Sequence, residues 1–132
     1  MKKLASWALV IVAIGGGYAW LSSRPAKVEM DIVVVQPVLS ELAVLGEVAF
    51  QGTCAACHGV ELTGTETGPP LIYVAYRTAF HADYAITSAI KNGVVAHHWR
   101  FGNMPPQEGF AEADIEPVIA YIREMQAANG VK

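Results

Sequence analysis

The only two cysteines of the chain, Cys54 and Cys57, stand two residues apart in the stretch GTCAACHG, with His58 directly behind the second. Four chemistries could use such a pair. A disulfide across so short a loop would add little stability and would leave His58 without a role. A thioredoxin-type dithiol expects a strand-to-helix junction in a βαβ setting, and this sequence has no such sheet pattern. Structural zinc takes four thiolate or imidazole ligands. Here one ligand is missing, and the adjacent Cys57 and His58 cannot easily share one tetrahedron. The fourth reading employs all three residues. Thiols two residues apart on a helical turn can form thioethers with the two vinyl groups of a haem, and the residue after the second thiol then lies under the iron as an axial ligand.

An iron held only by His58 would be open to small molecules, whereas a second protein ligand would close it for electron transfer. The candidates for that ligand are Met30, Met104, Met125, His81, His97 and His98. Met125 falls at core spacing in a helical stretch, and Met30 lies in a connector before the cysteines. Met104 sits in a loop with Gly102 before it and Pro105 and Pro106 behind, and the prolines restrict the backbone around the sulfur. His97 and His98 are rivals close to Met104 in sequence, although adjacent residues cannot both face the iron. A surface zinc or copper site built from His81, His97 and His98 is conceivable; so are exposed side chains, or hydrogen-bonding partners of a haem propionate. Trp99 and Arg100, an indole donor and a permanent cation, are further propionate candidates, with plain core packing an equal alternative for Trp99.

Three helices must position these groups. Ser40 is an N-cap for ELAVLGEVAFQGT, in which Leu42, Leu45, Val48 and Ala49 recur at helical spacing and Gly46 and Phe50 share one face. Gly46 costs helix stability, so it fits a place where another helix comes close. After the cysteines, GVELTGTETGPPL is turn chemistry throughout. HADYAITSAIKNGV predicts a short helix with Tyr84, Ala85 or Ile86, Ala89 and Ile90 inward, stopped by Asn92 and Gly93. A second loop, AHHWRFGNMPPQEGF, leads to a last helix with Ile115, Val118, Ile119, Ile122 and Met125 as its buried stripe and Tyr121 beside it. Pro117, a turn inside, should bend it or delay its start. So thin an all-α core around two long loops needs something else to fill its middle. A large, flat, apolar cofactor would do so.

The chain has 132 residues, 53% of them hydrophobic and 16% charged, enough for one small domain and one membrane segment. Residues 1–26 hold Lys2, Lys3 and Arg24 around an uncharged run from Leu4 to Leu21. This predicts a signal anchor or a cleaved signal peptide, and the two lysines keep the N-terminus inside. Either way the remainder is exported. Residues 27–39 then form a linker, whose β-branched run could extend along the flank of the domain at 40–132. Of nine basic residues, three lie in 1–26, leaving six against twelve acids and a net charge of −6. Such an acidic domain is a poor nucleic-acid binder; its partners are expected to be proteins, with the membrane reached through the N-terminal segment.

Over roughly Ser40 to Gly130 the sequence resembles the class I c-type cytochromes. The matching pieces are GEVAFQGTCAACHG, GPPL, NGV, FGNMPP and VIAYIREMQAANG, in family order. The resemblance implies an all-α class I cytochrome c fold around one covalent haem c, its first and last helices crossing so that Gly46 and Phe50 meet Tyr121 and Ile122. It implies Pro69 beside the proximal histidine, His58, and Met104 as the distal ligand. The expected function is single-electron transfer between redox proteins on the periplasmic side of a bacterial inner membrane, without a small-molecule substrate or catalytic residue. The partner is expected to carry a basic docking patch. Alternatives are a haem-bearing subunit of a larger dehydrogenase or oxidase complex, and an open-site haem enzyme or sensor.

Overall fold

The computed structural model describes residues 33–132, so the hydrophobic segment at 1–26 lies outside the described residues. Four helices follow one another: α1 (Glu41–Thr53), the one-turn α2 (Ala55–His58), α3 (Asp83–Asn92) and α4 (Glu112–Ala128), with a 3-10 turn at Val74–Tyr76. Among the described residues there is no β-strand, only an isolated antiparallel bridge between Val94 and Met104. None of these helices is long and apolar enough to cross a membrane.

Ser40 caps α1 as its type predicts, its hydroxyl accepting from the Ala43 amide. The same hydroxyl donates to Glu124 of α4, at 2.6 Å, and the Ser40 amide donates to the other carboxylate oxygen at 2.9 Å. The start of α1 is thereby tied to the far helix. The preceding stretch also docks there. The Val35 amide donates to the Asn129 side chain at 2.8 Å, Asn129 Nδ2 donates back to the Val35 carbonyl at 3.0 Å, and Val34 and Leu39 pack against the core.

The buried face of α1 is Ala43, Gly46 and Phe50, which corrects the expected stripe. Leu42, Leu45 and Val48 are exposed, because the crossing with α4 uses the small-residue side of α1 rather than its most apolar side. Gly46 shows why. A Cβ added there would strike the Pro117 carbonyl and come within 2.8 Å of the Val118 nitrogen, so backbone lies against backbone. The crossing is therefore centred on Pro117 and Val118 for Gly46, a turn before the Tyr121 and Ile122 expected. Phe50 does meet Tyr121, with ring centroids 5.3 Å apart and planes tilted by 58°, a favourable aromatic arrangement.

On α4, Ile115, Pro117, Val118, Tyr121, Ile122, Met125 and Gln126 are buried. Pro117 does not delay the helix, which begins at Glu112, and it is buried inside it, its carbonyl lying against Gly46 of α1. In α3, Ile90 is buried as expected, while Tyr84 is exposed and lines the rim of the central cavity instead of the core.

Candidate functional site

α1 leads through Cys54 straight into the single turn of α2, which carries Cys57 and His58. The amides of Cys57 and His58 both donate to the Cys54 carbonyl, at 3.1 and 2.9 Å, so the three residues share one helical turn. Cys54 is half-buried and Cys57 exposed, and the two are not joined in a disulfide. Burial, aided by the neighbouring Cys57, pushes the Cys54 thiol up to about 11. A redox dithiol needs the opposite, a thiol lowered into the thiolate range. Cys54 is thus poorly suited to serve as the attacking thiolate of such a dithiol.

His58 is held by the loop that follows. Its Nδ1 lies 2.9 Å from the Pro69 carbonyl oxygen. A carbonyl can only accept, so Nδ1 carries a proton, and in the neutral ring Nε2 then keeps its lone pair. Burial lowers the imidazole pKa, partly opposed by this hydrogen bond, which favours the neutral ring. A neutral imidazole with one nitrogen fixed by a carbonyl and the other bare is the form that ligates a metal.

Cys54, His58, Pro69, Trp99 and Met104 line one cavity of about 570 Å³, together with apolar side chains from α1, α3 and α4 that include Phe50, Ile86, Ile90, Val118 and Ile122. The size and lining suit a large apolar ligand. Arg100 is exposed and is not among the lining residues. Met104 reaches the cavity from a loop held by the bridge: Val94 donates to the Met104 carbonyl at 2.9 Å and Met104 to the Val94 carbonyl at 3.0 Å. Gly93 allows that approach. It ends α3 at φ 73° and ψ −176°, a conformation essentially restricted to glycine, and a Cβ there would lie 2.5 Å from the Met104 carbonyl oxygen and 3.0 Å from the Pro106 ring. The Asn-Gly stop in the sequence marked the end of α3; the bridge is a long-range pairing with no local signature.

Trp99 donates its indole N–H to the Tyr76 hydroxyl at 2.9 Å and meets Tyr73 edge-on, with centroids 5.2 Å apart. Tyr76 is also among the lining residues, and its hydroxyl, accepting from Trp99, has its own proton left to donate. Two organising residues had no functional reading in the sequence. Gln126, a buried polar side chain, donates to the Leu71 carbonyl at 2.8 Å and accepts from Arg123 at 2.7 Å. Arg123 also binds the carbonyls of Tyr76 and His81 and the Asp83 carboxylate. One guanidinium thereby fixes the loop that closes a wall of the cavity. Burial could have been inferred for Gln126 only from its place on the inner face of α4, one residue after Met125.

The family model for cytochrome c matches residues 43–126. The chain belongs to the cytochrome c family. As a cytochrome c of class I, it carries a covalently attached haem c and is a haem-binding electron-transfer protein, and the family is in general one of electron carriers. The helical architecture with α1 and α4 crossed agrees with that fold. No curated protein matches the chain.

Proposed function

We propose that this cytochrome c is an exported mono-haem electron carrier in which Cys54 and Cys57 hold the haem by thioethers and His58 and Met104 are its axial ligands. The observation that carries this reading is the meeting of four independent features at one cavity. They are the Cys-x-x-Cys-His turn, the bare Nε2 of a neutral His58, the bridged Met104 loop and an apolar lining. A haem so ligated exchanges single electrons, and a thioether in place of a second imidazole favours the reduced iron.

The protein's own residues orient and shield. The Pro69 carbonyl holds the Nδ1 proton of His58 and so aims Nε2 inward. The Val94 bridge and the two prolines after Met104 limit the sulfur's movement. Phe50, Ile90, Val118 and Ile122 exclude water. Tyr76, with its oxygen engaged by Trp99, is placed to donate to a haem carboxylate; Arg100, outside the lining, is left out of that role. Electrons would enter and leave beside the exposed Cys57.

Export and tethering are part of the same reading and rest on the sequence of residues 1–26. With residues 4–21 as an anchor, the domain would stay on the periplasmic face of the inner membrane of a bacterium. A short tether raises its effective concentration beside membrane oxidases or reductases. Its acidic charge supports a redox partner with a basic docking patch.

The test is the absorption spectrum of the oxidised holoprotein, in wild type and Met104→Ala, at the red end of the visible range where a methionine-to-ferric-iron band falls. The expected outcome is a weak band in wild type that disappears in the variant, together with carbon monoxide binding that only the variant shows. A wild type without the band would place another ligand, or none, on the iron.

A further inference from the structure

His81, His97 and His98 come from two separate loops, yet the structure gathers them: one ring nitrogen of each lies within 4.8 Å of those of the other two. Ring centroids are 4.2 Å apart for His97 and His98, 5.4 Å for His81 and His98, and 6.4 Å for His81 and His97. No acidic side chain belongs to this cluster among the described residues, so carboxylates do not account for it.

The hydrogen bonds decide which nitrogens are offered. His81 Nδ1 lies 2.6 Å from the Ala75 carbonyl oxygen and His97 Nδ1 2.8 Å from that of Val95. Carbonyls only accept, so both Nδ1 atoms carry protons, and in the neutral ring each Nε2 then presents its lone pair. This is the arrangement in which a backbone carbonyl orients a metal-binding imidazole. The His81 backbone is itself clamped, since Arg123 donates to its carbonyl. We propose that His81, His97 and His98 bind one divalent cation of the zinc and copper class through three imidazole nitrogens, at the rim of the haem cavity.

The geometry asks for a small adjustment. Zinc–nitrogen bonds of about 2.0–2.1 Å in a tetrahedron place the ligand nitrogens about 3.3 Å apart, against the 4.8 Å limit here. His97 and His98 are exposed and can turn to close the difference, while His81 is the fixed point. Three imidazoles leave the fourth position open for water or an anion, and copper(II) should bind more tightly than zinc in such a nitrogen set. The three histidines also line the cavity itself, so the cation would sit close enough for its charge to act on the haem. Two positive centres repel less when the haem is reduced, so the bound cation should raise the reduction potential, and by linkage the reduced protein should bind it more tightly.

The site does not depend on which residue closes the iron, unless a histidine of the cluster does so. Titrating zinc chloride into the oxidised holoprotein by calorimetry should give one equivalent bound. His97→Gln together with His98→Gln should weaken binding at least 100-fold, and His81→Gln at least 10-fold. A spectroelectrochemical titration with zinc should show an upward shift of potential in wild type that the double variant lacks. Equal zinc binding by wild type and the double variant, or no binding at the one-equivalent level, overturns the site and leaves the histidines as partners of haem carboxylates. Binding without a change of potential overturns the coupling to the haem. A double variant that loses the methionine-to-iron band has a disturbed Met104 loop, and the site then stands or falls on His81→Gln, which must weaken zinc binding at least 10-fold with the band kept.

Discussion

At the scale of single residues, chemistry and position can be read separately. Cys54, Cys57 and His58 were legible because their spacing encodes the turn they occupy, and the structure places them on that turn. Met104 stands out in the sequence as a loop methionine followed by two prolines, but its placement at the cavity does not, because what holds it is Gly93, eleven residues earlier and across a bridge. Gly93→Ala should therefore cost about 2–3 kcal/mol, since it puts a side chain into a glycine-only conformation and against the Met104 carbonyl. Its distinguishing mark should be a weakened methionine-to-iron band in a protein whose far-ultraviolet helix signal is kept. Tyr121 gives a second residue-level expectation. Burial, then the negative charge of Glu47, raises its pKa above the ordinary 10.0. The unfolded chain thus releases this proton first, and the contribution of Tyr121 is constant below pH 10 and falls as pH rises above it. Unfolding midpoints measured between pH 8 and 11 should decline less steeply in Tyr121→Phe than in wild type.

At the scale of elements, the helices were legible from caps and breakers, since Ser40, the Asn92-Gly93 pair and the C-terminal Gly130 mark their ends as local signals do. Which face each helix buries was not. A periodicity of leucine and valine pointed to one side of α1, but the contact with α4 is set by how near two backbones can come, and Gly46 against Pro117 outweighs the larger apolar surface of Leu45 and Val48. The same long-range geometry makes Gln126 a buried hub and gathers three histidines, neither of which any window of sequence contains. Gly46→Ala tests the crossing directly. Even one methyl group would force α1 and α4 apart, and overpacking of this kind costs about 3 kcal/mol. The midpoint of denaturant unfolding of the holoprotein should fall accordingly with its slope unchanged. An unaltered midpoint would mean that the helices can slide without loss.

At the scale of the whole molecule, the small helical core and the long loops make sense together only around the cavity, whose wall is held by Arg123 and Gln126 rather than by further helices. The charge surrounding it determines how partners approach. The described residues contain ten acids and five basic residues. Lys91 is paired with Glu112 at 2.6 Å and Arg123 with Asp83 at 2.8 Å, so eight acids and three basic residues remain outside these two pairs. The long-range field is negative even though Arg77 and Arg100 are local cations. Ions screen such a field within about 10 Å at 0.1 M salt, and attraction between unlike charges chiefly accelerates encounter. Electron transfer to a redox protein with a basic docking face should thus slow as ionic strength rises from 10 to about 300 mM, by roughly tenfold or more for a strongly steered pair. Stopped-flow reduction of the holoprotein by a cationic and by an anionic small reductant calibrates the sign. The cationic reagent should lose rate with salt while the anionic one gains. Opposite trends would mean that electrons pass through the patch around Arg77 and Arg100 instead of the acidic body, and the basic-partner assignment would fall with them.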